Sequence, residues 1–195
     1  QLDRLPPDEA RALVPQLLPE ATAAALYEPS CMDIDVAALH QAYLRHARRH
    51  GTVQVNDAQV TGFVRDGAGW RIATRAGDFS AAVIVNAAGA WADEVARLAG
   101  VPPIGLRPMR RTVVAIDVAP DAPATLPLVI DVEGRFYFKP DGGRMWLSPH
   151  DETLSPPCDA QPEELDVAAV IDLFEQVTSW RVRRIERAWA GLRSF

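Results

Sequence analysis

The stretch from Ala81 to Asp93, A-A-V-I-V-N-A-A-G-A-W-A-D, constrains the fold of this 195-residue chain more than any other segment. Val83–Val85 form a continuous β-branched run, the composition of a strand covered on both faces. Ala87, Ala88 and Gly89 then remove side-chain bulk before a helix. Backbone stripped of side chains at the end of a parallel strand can lie against a dinucleotide, whose phosphates favour a helix N-terminus. The alternative interpretation is close packing of two elements without a ligand.

Composition excludes several classes of protein. Apolar residues make up 48% and charged residues 24% of the chain, as in ordinary globular proteins. The net charge of -6 argues against a nucleic-acid partner. Cys31 and Cys158 stand alone, so neither a zinc site nor a disulfide framework is expected. With no signal peptide and no apolar run of about 20 residues, we expect a cytoplasmic protein without a transmembrane segment.

The first half of the chain predicts two helices and then a β-meander. A helix over 8–18 should kink or end early at Pro15. An amphipathic helix follows, capped by Asp33 or Asp35, and its basic end (45–50) is interpreted as a solvated terminus rather than a polyanion site. Four strands come next, with a hairpin turn at 66–69; they are Thr52–Asn56, Val60–Arg65, Trp70–Thr74 and Phe79–Asn86.

The second half predicts an antiparallel sheet. A helix after Gly89 should stop at Gly100, and the Pro-rich stretch that follows marks a boundary. The later elements are strands at Thr112–Val118, Leu126–Val132, Arg135–Lys139 and Arg144–Ser148, a helix opened by Pro162, and a last strand over about Val182–Leu192.

Residues 83–92, V-I-V-N-A-A-G-A-W-A, resemble the second nucleotide-contacting segment of FAD-dependent oxidoreductases of the D-amino-acid oxidase family. The resemblance implies that FAD lies against Val53, Ala87, Ala88, Gly89 and Trp91. The family's Gly-x-Gly-x-x-Gly turn is missing from this chain. Because the family carries that turn in an earlier strand–helix unit, we expect the chain to be a central fragment that contacts only part of FAD.

Two further segments resemble the substrate domain of this family. In R-F-Y-F-K-P-D-G-G (135–143), Tyr137 occupies the position of a tyrosine that helps to bind the substrate carboxylate. In W-A-G-L-R-S-F (189–195), Arg193 matches an arginine that pairs with that carboxylate. A planar guanidinium suits this task because it can hold both carboxylate oxygens. The alternatives are an ordinary aromatic strand residue and a surface arginine.

The remaining polar candidates receive no catalytic role. His150 beside Asp151 imitates a general-base pair, but no serine or cysteine nucleophile with a supporting motif accompanies it. Arg110 and Arg111 lie where related chains enter the substrate domain. No metal site and no catalytic side chain are predicted in this chain.

The fold class predicted is mixed α/β: part of an FAD/NAD(P)-binding Rossmann-like domain plus an antiparallel-sheet substrate domain with flanking helices. The domain prediction is a connecting segment (1–30), a partial FAD-binding domain (31–100), a substrate-binding domain (101–190) and a return toward the FAD domain (191–195).

The resemblance implies oxidation of a small amino acid or secondary amine by hydride transfer to FAD, in the manner of glycine oxidase or D-amino-acid dehydrogenase. The fragment is expected to be inactive alone. A 2-hydroxy-acid or glycerol-phosphate dehydrogenase of the same superfamily is an alternative, and a non-catalytic β-rich binding module is another. The sequence leaves the substrate, the electron acceptor and the oligomeric state open.

Overall fold

The structure is a computed structural model that describes residues 2–195. It contains two compact units, and each is treated by itself. One unit, which we call the large-sheet unit, comprises the residues up to Pro29 together with Leu106–Phe195. The other, the meander unit, comprises Ser30–Gly105. Helices and antiparallel sheets occur together, which confirms the mixed α/β fold class.

The elements follow one another along the chain in the order β1 (Asp3–Leu5), α1 (Pro7–Leu13), β2 (Ala25–Tyr27), α2 (Val36–Arg49), β3 (Val60–Asp66), β4 (Gly69–Thr74), β5 (Gly77–Ala81), α3 (Ala92–Leu98), β6 (Pro108–Ala119), β7 (Val129–Ile130), β8 (Tyr137–Asp141), β9 (Arg144–Ser148), β10 (Thr153–Leu154), α4 (Glu164–Val177) and β11 (Arg181–Ser194). Short 3₁₀ turns occupy Pro19–Ala21 and Gly89–Trp91.

Strand β6 organises the antiparallel sheet of the large-sheet unit. Strand β11 pairs with it along its whole length, from Arg181 opposite Ala119 to Ser194 opposite Pro108. Strands β9 and β10 pair with the other edge of β6. Beyond β9 come β8 and then β7. The predicted strands of the second half are therefore confirmed, although β7 is limited to two residues of the predicted Leu126–Val132.

The core lies between one face of this sheet and helix α4. Phe138 of β8, Phe174 of α4 and Trp180 are completely buried. Their ring centroids lie 5.2 to 5.9 Å apart, in edge-to-face and stacked pairs. Such aromatic clusters combine a large buried apolar area with favourable ring geometry. Val14, just after α1, also belongs to the core.

The meander unit contains β3, β4 and β5 in an antiparallel sheet, as the hairpin signal predicts. The N-terminus of α2 is capped by Asp35, whose Oδ1 accepts a hydrogen bond of 2.8 Å from the Ala38 amide. His46, Arg48 and Arg49 lie in the last turn of α2, which confirms the interpretation of the basic run as a helix terminus. No residue of α2 is buried among the described residues.

The prediction of a buried strand at Val83–Val85 is wrong in the described structure. Strand β5 ends at Ala81, and Val83 and Val85 are 75% and 84% exposed. A doubly covered strand needs neighbouring strands and helices on both faces. No strand within residues 2–195 pairs with 83–85, so the β-branched run stays extended and open.

One smaller prediction also differs from the structure, and another agrees with it. Thr52–Asn56 forms no strand, because no described strand pairs with it. Helix α1 ends at Leu13, two residues before Pro15, in agreement with the expected early end of the helix. Leu17 then bridges to Thr178 at the end of α4.

Of the described helices, none combines the length and the apolar character that a membrane crossing requires.

Candidate functional site

The large sheet has two chemically different faces because side chains alternate along a strand. One face carries the core residues that pack against α4. We call the other the tryptophan face, since Trp146 of β9 and Trp189 of β11 meet there with ring centroids 5.3 Å apart. Lys139 and Arg187 add cation–π contacts to these two rings. The tryptophan face is therefore a partly aromatic, cationic surface.

Tyr137 and Arg193 both belong to the tryptophan face. Phe136 and Phe138, on either side of Tyr137, are buried in the core, so the predicted alternation is confirmed. In the β8–β9 pair Tyr137 lies opposite Ser148. On β11 the register is regular from Arg187 onward, which puts Arg193 on the same face as Trp189. The two predicted substrate-binding residues thus share one face, separated by strands β9 and β6.

The Tyr137 hydroxyl is available to a ligand. The side chain is half-buried, and no hydrogen bond from any residue in the described range reaches its hydroxyl. Its ring is held at the edge by His150, with centroids 5.7 Å apart and an interplanar angle of 83°. A fixed ring with a free hydroxyl can donate a hydrogen bond to an incoming carboxylate.

Arg193 is likewise free of carboxylate partners within the described chain. Its guanidinium lies over the Phe195 ring, 5.2 Å from the centroid, and its side chain is exposed. By contrast, Arg110 and Arg183 each make ion pairs with more than one acidic residue. No carboxylate among residues 2–195 therefore neutralises the cation of Arg193.

Gly191 leaves a gap on the tryptophan face between Trp189 and Arg193. It lies opposite Arg111 on β6. A Cβ atom built at Gly191 would meet no heavy atom within 4 Å. The position directly above Gly191 is therefore not filled, beside a guanidinium that is unpaired within the described chain.

The corner at Ala87–Gly89 in the meander unit is open. Gly89 has a φ of +55°, and a Cβ atom there would meet nothing within 4 Å. The Asn86 side chain fixes the corner by donating to the Ala92 carbonyl at 2.8 Å and accepting from the Ala88 amide at 3.3 Å. The corner thus offers ordered, accessible main chain. Val53 (81% exposed) and Trp91 (43% exposed) are also accessible.

An ion network joins Asp151, in the loop between β9 and β10, to the start of β6. The Asp151 carboxylate, 8% exposed, accepts from the Thr112 amide at 2.6 Å, from the Thr112 hydroxyl at 2.9 Å and from Arg110. Arg110 also pairs with Glu163 and Asp166 at the start of α4. Its hydrogen bond to Glu163 is the main reason that the pKa of Arg110 is raised above its ordinary value. Arg110 thus holds elements together, in keeping with the absence of a predicted catalytic role.

A second charged pair fixes the turn that precedes Tyr137. The Asp131 carboxylate accepts from the Arg135 amide at 3.1 Å and from its guanidinium at 2.9 Å. The side-chain hydrogen bond from Arg135 is the largest cause of the lowered pKa of Asp131. Because a carboxyl group with a lowered folded-state pKa binds protons less readily than in the unfolded chain, it stabilises the fold above its unfolded pKa.

We therefore expect Asp131→Asn to lower the free energy of unfolding at neutral pH. The difference from wild type should be fully present above about pH 3.9, the ordinary aspartate pKa. It should disappear as the pH falls through the lower folded-state pKa of Asp131. Urea titrations between pH 2 and 7 measure it, with Asp141→Asn as a control on an exposed residue of the same sheet. A difference that stays constant down to pH 2 would contradict the assignment.

Comparison with known proteins places these features in a family. The model of the family described as "DAO: FAD dependent oxidoreductase" matches residues 1–195. Dimethylglycine dehydrogenase, mitochondrial, of Rattus norvegicus is 31% identical over 149 residues, covering 74% of this chain and 17% of that protein. Glycerol-3-phosphate dehydrogenase 1 of Mycobacterium tuberculosis is 31% identical over 172 residues, covering 82% of this chain and 32% of that protein.

Solved structures show the same fold. L-proline dehydrogenase from P. horikoshii superposes with a TM-score of 0.83 at 24% identity, over 98% of this chain and 52% of its own. Glycine oxidase from Geobacillus kaustophilus gives 0.80 at 21% identity, over 100% and 51%. L-alpha-glycerophosphate oxidase from Mycoplasma pneumoniae, solved with FAD bound, gives 0.86 at 18% identity, over 100% and 53%.

The fold is therefore that of a flavin-dependent oxidoreductase. The chain belongs to the DAO family of FAD-dependent oxidoreductases, and FAD is the cofactor of that family. It spans less than a third of the length of the two curated relatives and about half of the three solved chains.

Two features of the site lie beyond what the sequence indicated. Gly191 is one glycine among 12, and its position on the face of Arg193 follows only from the β6–β11 register. His150 adopts a φ of +55°, which no feature of the sequence around it predicted. The one feature of the sequence that draws attention to His150 is the aspartate beside it, and that pair suggests a general base rather than a contact with Tyr137.

Proposed function

We propose that the protein oxidises a small amino acid or secondary amine, whose carboxylate is held by Arg193 and Tyr137 on the tryptophan face. One observation carries the proposal: both residues lie on one face of the sheet, with the hydroxyl and the guanidinium unpaired within the described chain. A guanidinium and a phenol together supply charge and hydrogen bonds suited to a carboxylate. The relative named dimethylglycine dehydrogenase supports an amine substrate.

Each residue has a distinct part in this proposal. Arg193 binds the carboxylate as an ion pair and orients the α-carbon, because its planar fork allows little rotation of the bound group. Tyr137 donates a second hydrogen bond and restricts the tilt of the substrate. Gly191 leaves space for the substrate beside Arg193. FAD, when bound, supplies the two-electron acceptor for oxidation of the substrate carbon.

The meander unit fits a part of FAD on its own geometry. The backbone at Ala87, Ala88 and Gly89 can lie against a planar or extended ligand, since Ala87 and Gly89 are exposed, Ala88 is half-buried and a Cβ atom at Gly89 would meet nothing within 4 Å. Val53 and Trp91 are exposed and can add apolar contact. These five residues are the proposed FAD contacts of this chain.

An experiment on Gly89 tests that contact. Alanine at Gly89 should weaken FAD binding by the apoprotein roughly tenfold, a loss of about 1.4 kcal/mol, because its methyl group would occupy the space proposed for the cofactor. Gly100→Ala is the matched control, since Gly100 also has a positive φ (+67°) and open space around its Cβ. Both variants suffer similar backbone strain, so equal FAD affinities would place the cofactor elsewhere. Flavin fluorescence titration measures both.

Oxidation of a glycerol phosphate is the second candidate. Arginine binds phosphate and carboxylate by the same two-pronged geometry, so Arg193 suits either. The relative named glycerol-3-phosphate dehydrogenase favours this alternative. A 2-hydroxy acid would also present a carboxylate to Arg193.

Turnover assays on the holoenzyme separate the candidates. The protein should carry the visible flavin absorption bands and oxidise at least one of glycine, sarcosine, dimethylglycine or a D-amino acid. Activity on glycerol phosphate or 2-hydroxyglutarate alone would show that the substrate is an alcohol and not an amine. A colourless protein that takes up no FAD would overturn the enzymatic proposal. The D-amino-acid class and a cytoplasmic location remain proposals, tested by the same assays and by cell fractionation.

A further inference from the structure

His150 makes the one ring contact to Tyr137 in the described chain. The two rings meet edge to face, with centroids 5.7 Å apart. The imidazole Nδ1 lies 2.8 Å from the Gly134 carbonyl oxygen. Because a carbonyl can only accept, Nδ1 carries the hydrogen and donates it. The ring is thus anchored on one side and pressed against Tyr137 on the other.

The backbone of His150 is strained. Its φ of +55° lies in the left-handed region, which only a few per cent of non-glycine residues adopt, with asparagine, aspartate and histidine the most frequent among them. Such a conformation persists only where the surroundings over-determine it, and it is concentrated at functional sites. Asp57 has a similar φ of +53°, and of the two residues it is His150 that contacts Tyr137.

Bonds to β6 hold His150 from both sides along the chain. The His150 amide donates to the Ser148 hydroxyl at 3.2 Å, and that hydroxyl donates to the Thr112 carbonyl at 2.6 Å. On the other side, the Asp151 carboxylate binds the Thr112 amide and hydroxyl. Ser148, two residues before His150, and Asp151, directly after it, are therefore both fixed to Thr112 of β6, which is completely buried.

The carbonyl that anchors the imidazole is also fixed. Gly134 donates its amide to the Asp131 carbonyl at 2.8 Å, within the turn that Asp131 and Arg135 stabilise. A Cβ atom at Gly134 would lie 3.5 Å from the His150 Nδ1, so the imidazole packs directly on the bare backbone. The turn before Tyr137 and the loop after β9 meet at this contact.

We propose that His150 is a positioning residue for Tyr137: the imidazole, anchored to Gly134, fixes the Tyr137 ring so that its hydroxyl points to the substrate carboxylate. The inference rests on the proposed substrate-binding role of Tyr137. It explains why a strained histidine is clamped so firmly beside a tyrosine whose own hydroxyl is unpaired. Loss of the imidazole leaves the Tyr137 ring free to reorient.

The test uses His150→Asn in the holoenzyme, because asparagine tolerates a positive φ and removes only the ring. KM for the preferred carboxylate substrate should rise roughly fivefold, the size of one lost aromatic pair. The kcat, the flavin content and the melting temperature should stay close to wild type. His50→Asn is the matched control, since the His50 Nδ1 also lies 2.9 Å from a backbone carbonyl, in the meander unit. His50→Asn should leave KM, kcat, the flavin content and the melting temperature unchanged.

A double-mutant cycle separates positioning from direct binding. In a Tyr137→Phe background there is no hydroxyl to aim, so His150→Asn should cause no further rise in KM. Equal rises in both backgrounds would show that His150 acts independently of Tyr137 and would overturn the proposal. Loss of flavin or of thermal stability in His150→Asn would show a structural role and would also overturn it.

A readout independent of turnover keeps the inference separate from the proposed function. The chain has three tyrosines, so fluorotyrosine labelling gives a fluorine NMR spectrum that Tyr137→Phe assigns. His150→Asn should shift or broaden the Tyr137 signal and leave those of Tyr27 and Tyr43 in place. An unchanged Tyr137 signal would overturn the inference even in an active enzyme. A shifted signal in a protein that oxidises no carboxylate substrate would refute the proposed function instead.

Discussion

Replacing Arg193 by alanine in the holoenzyme is expected to raise KM for the carboxylate substrate by roughly 100-fold, since losing one partner of a charged, hydrogen-bonded pair costs about 2–5 kcal/mol. Flavin content should stay unchanged, because the guanidinium lies on the sheet of the large-sheet unit, away from the proposed FAD contacts in sequence, and makes no ion pair within the described chain. Arg193→Lys should recover part of the loss, because it keeps the charge and loses the planar fork. Steady-state kinetics and flavin absorbance measure these effects.

Arg187→Ala is the matched control for this prediction. Arg187 lies on the same strand and the same face, and its guanidinium rests over the Trp189 ring. Its removal should alter KM by less than about threefold, as expected for the loss of one exposed cation–π contact. Equal effects of the two substitutions would indicate a general electrostatic field rather than a carboxylate contact. Parallel loss of flavin in Arg193→Ala would mark that residue as structural.

Replacing Phe138 by alanine is expected to lower the free energy of unfolding by about 3–5 kcal/mol, as for other large-to-small core substitutions. Phe138 is completely buried and contacts the rings of Phe174, Trp180 and Phe136. Its removal leaves a cavity between the sheet and α4 that these aromatic side chains cannot fill without leaving their packed geometry. Urea unfolding followed by tryptophan fluorescence measures the loss.

Phe79→Ala serves as the control for the core substitution. Phe79 lies on β5 of the meander unit and is 40% exposed. We expect a loss below about 1.5 kcal/mol, because a partly exposed ring gives up less buried area. A comparable loss in both variants would contradict the prediction that the buried Phe138 ring contributes more to stability than the partly exposed Phe79 ring.

Tyr137 and its two sequence neighbours show which features a local sequence pattern predicts correctly. Phe136-Tyr137-Phe138 alternates in the sequence, and the strand period of two places both phenylalanines in the core and the tyrosine on the opposite face. Asp35 was one of two candidate caps, and its side chain makes the capping bond. These features depend on neighbours a few residues away, which a sequence displays directly.

Val83–Val85 shows where local pattern fails. The β-branched run has the composition of a strand that is buried on both faces. Such burial requires neighbouring strands and helices from distant parts of the sequence, and the described chain provides none for these residues. His150 shows the same limit. Its neighbour Asp151 is bonded to Thr112, nearly 40 positions away, and no local motif encodes either that bond or the positive φ of His150.

The sequence by itself determined the family, the strands of the large sheet, the caps and turns, and the identity of Tyr137 and Arg193 as candidates. Only the tertiary structure decided that these two residues share a face with the tryptophan pair, that Gly191 leaves a gap beside Arg193, and that His150 is clamped against Tyr137. The physical reason is that side-chain periodicity is a property of a single strand. Register, ring contacts and strained dihedral angles are set by pairing between strands far apart in the chain.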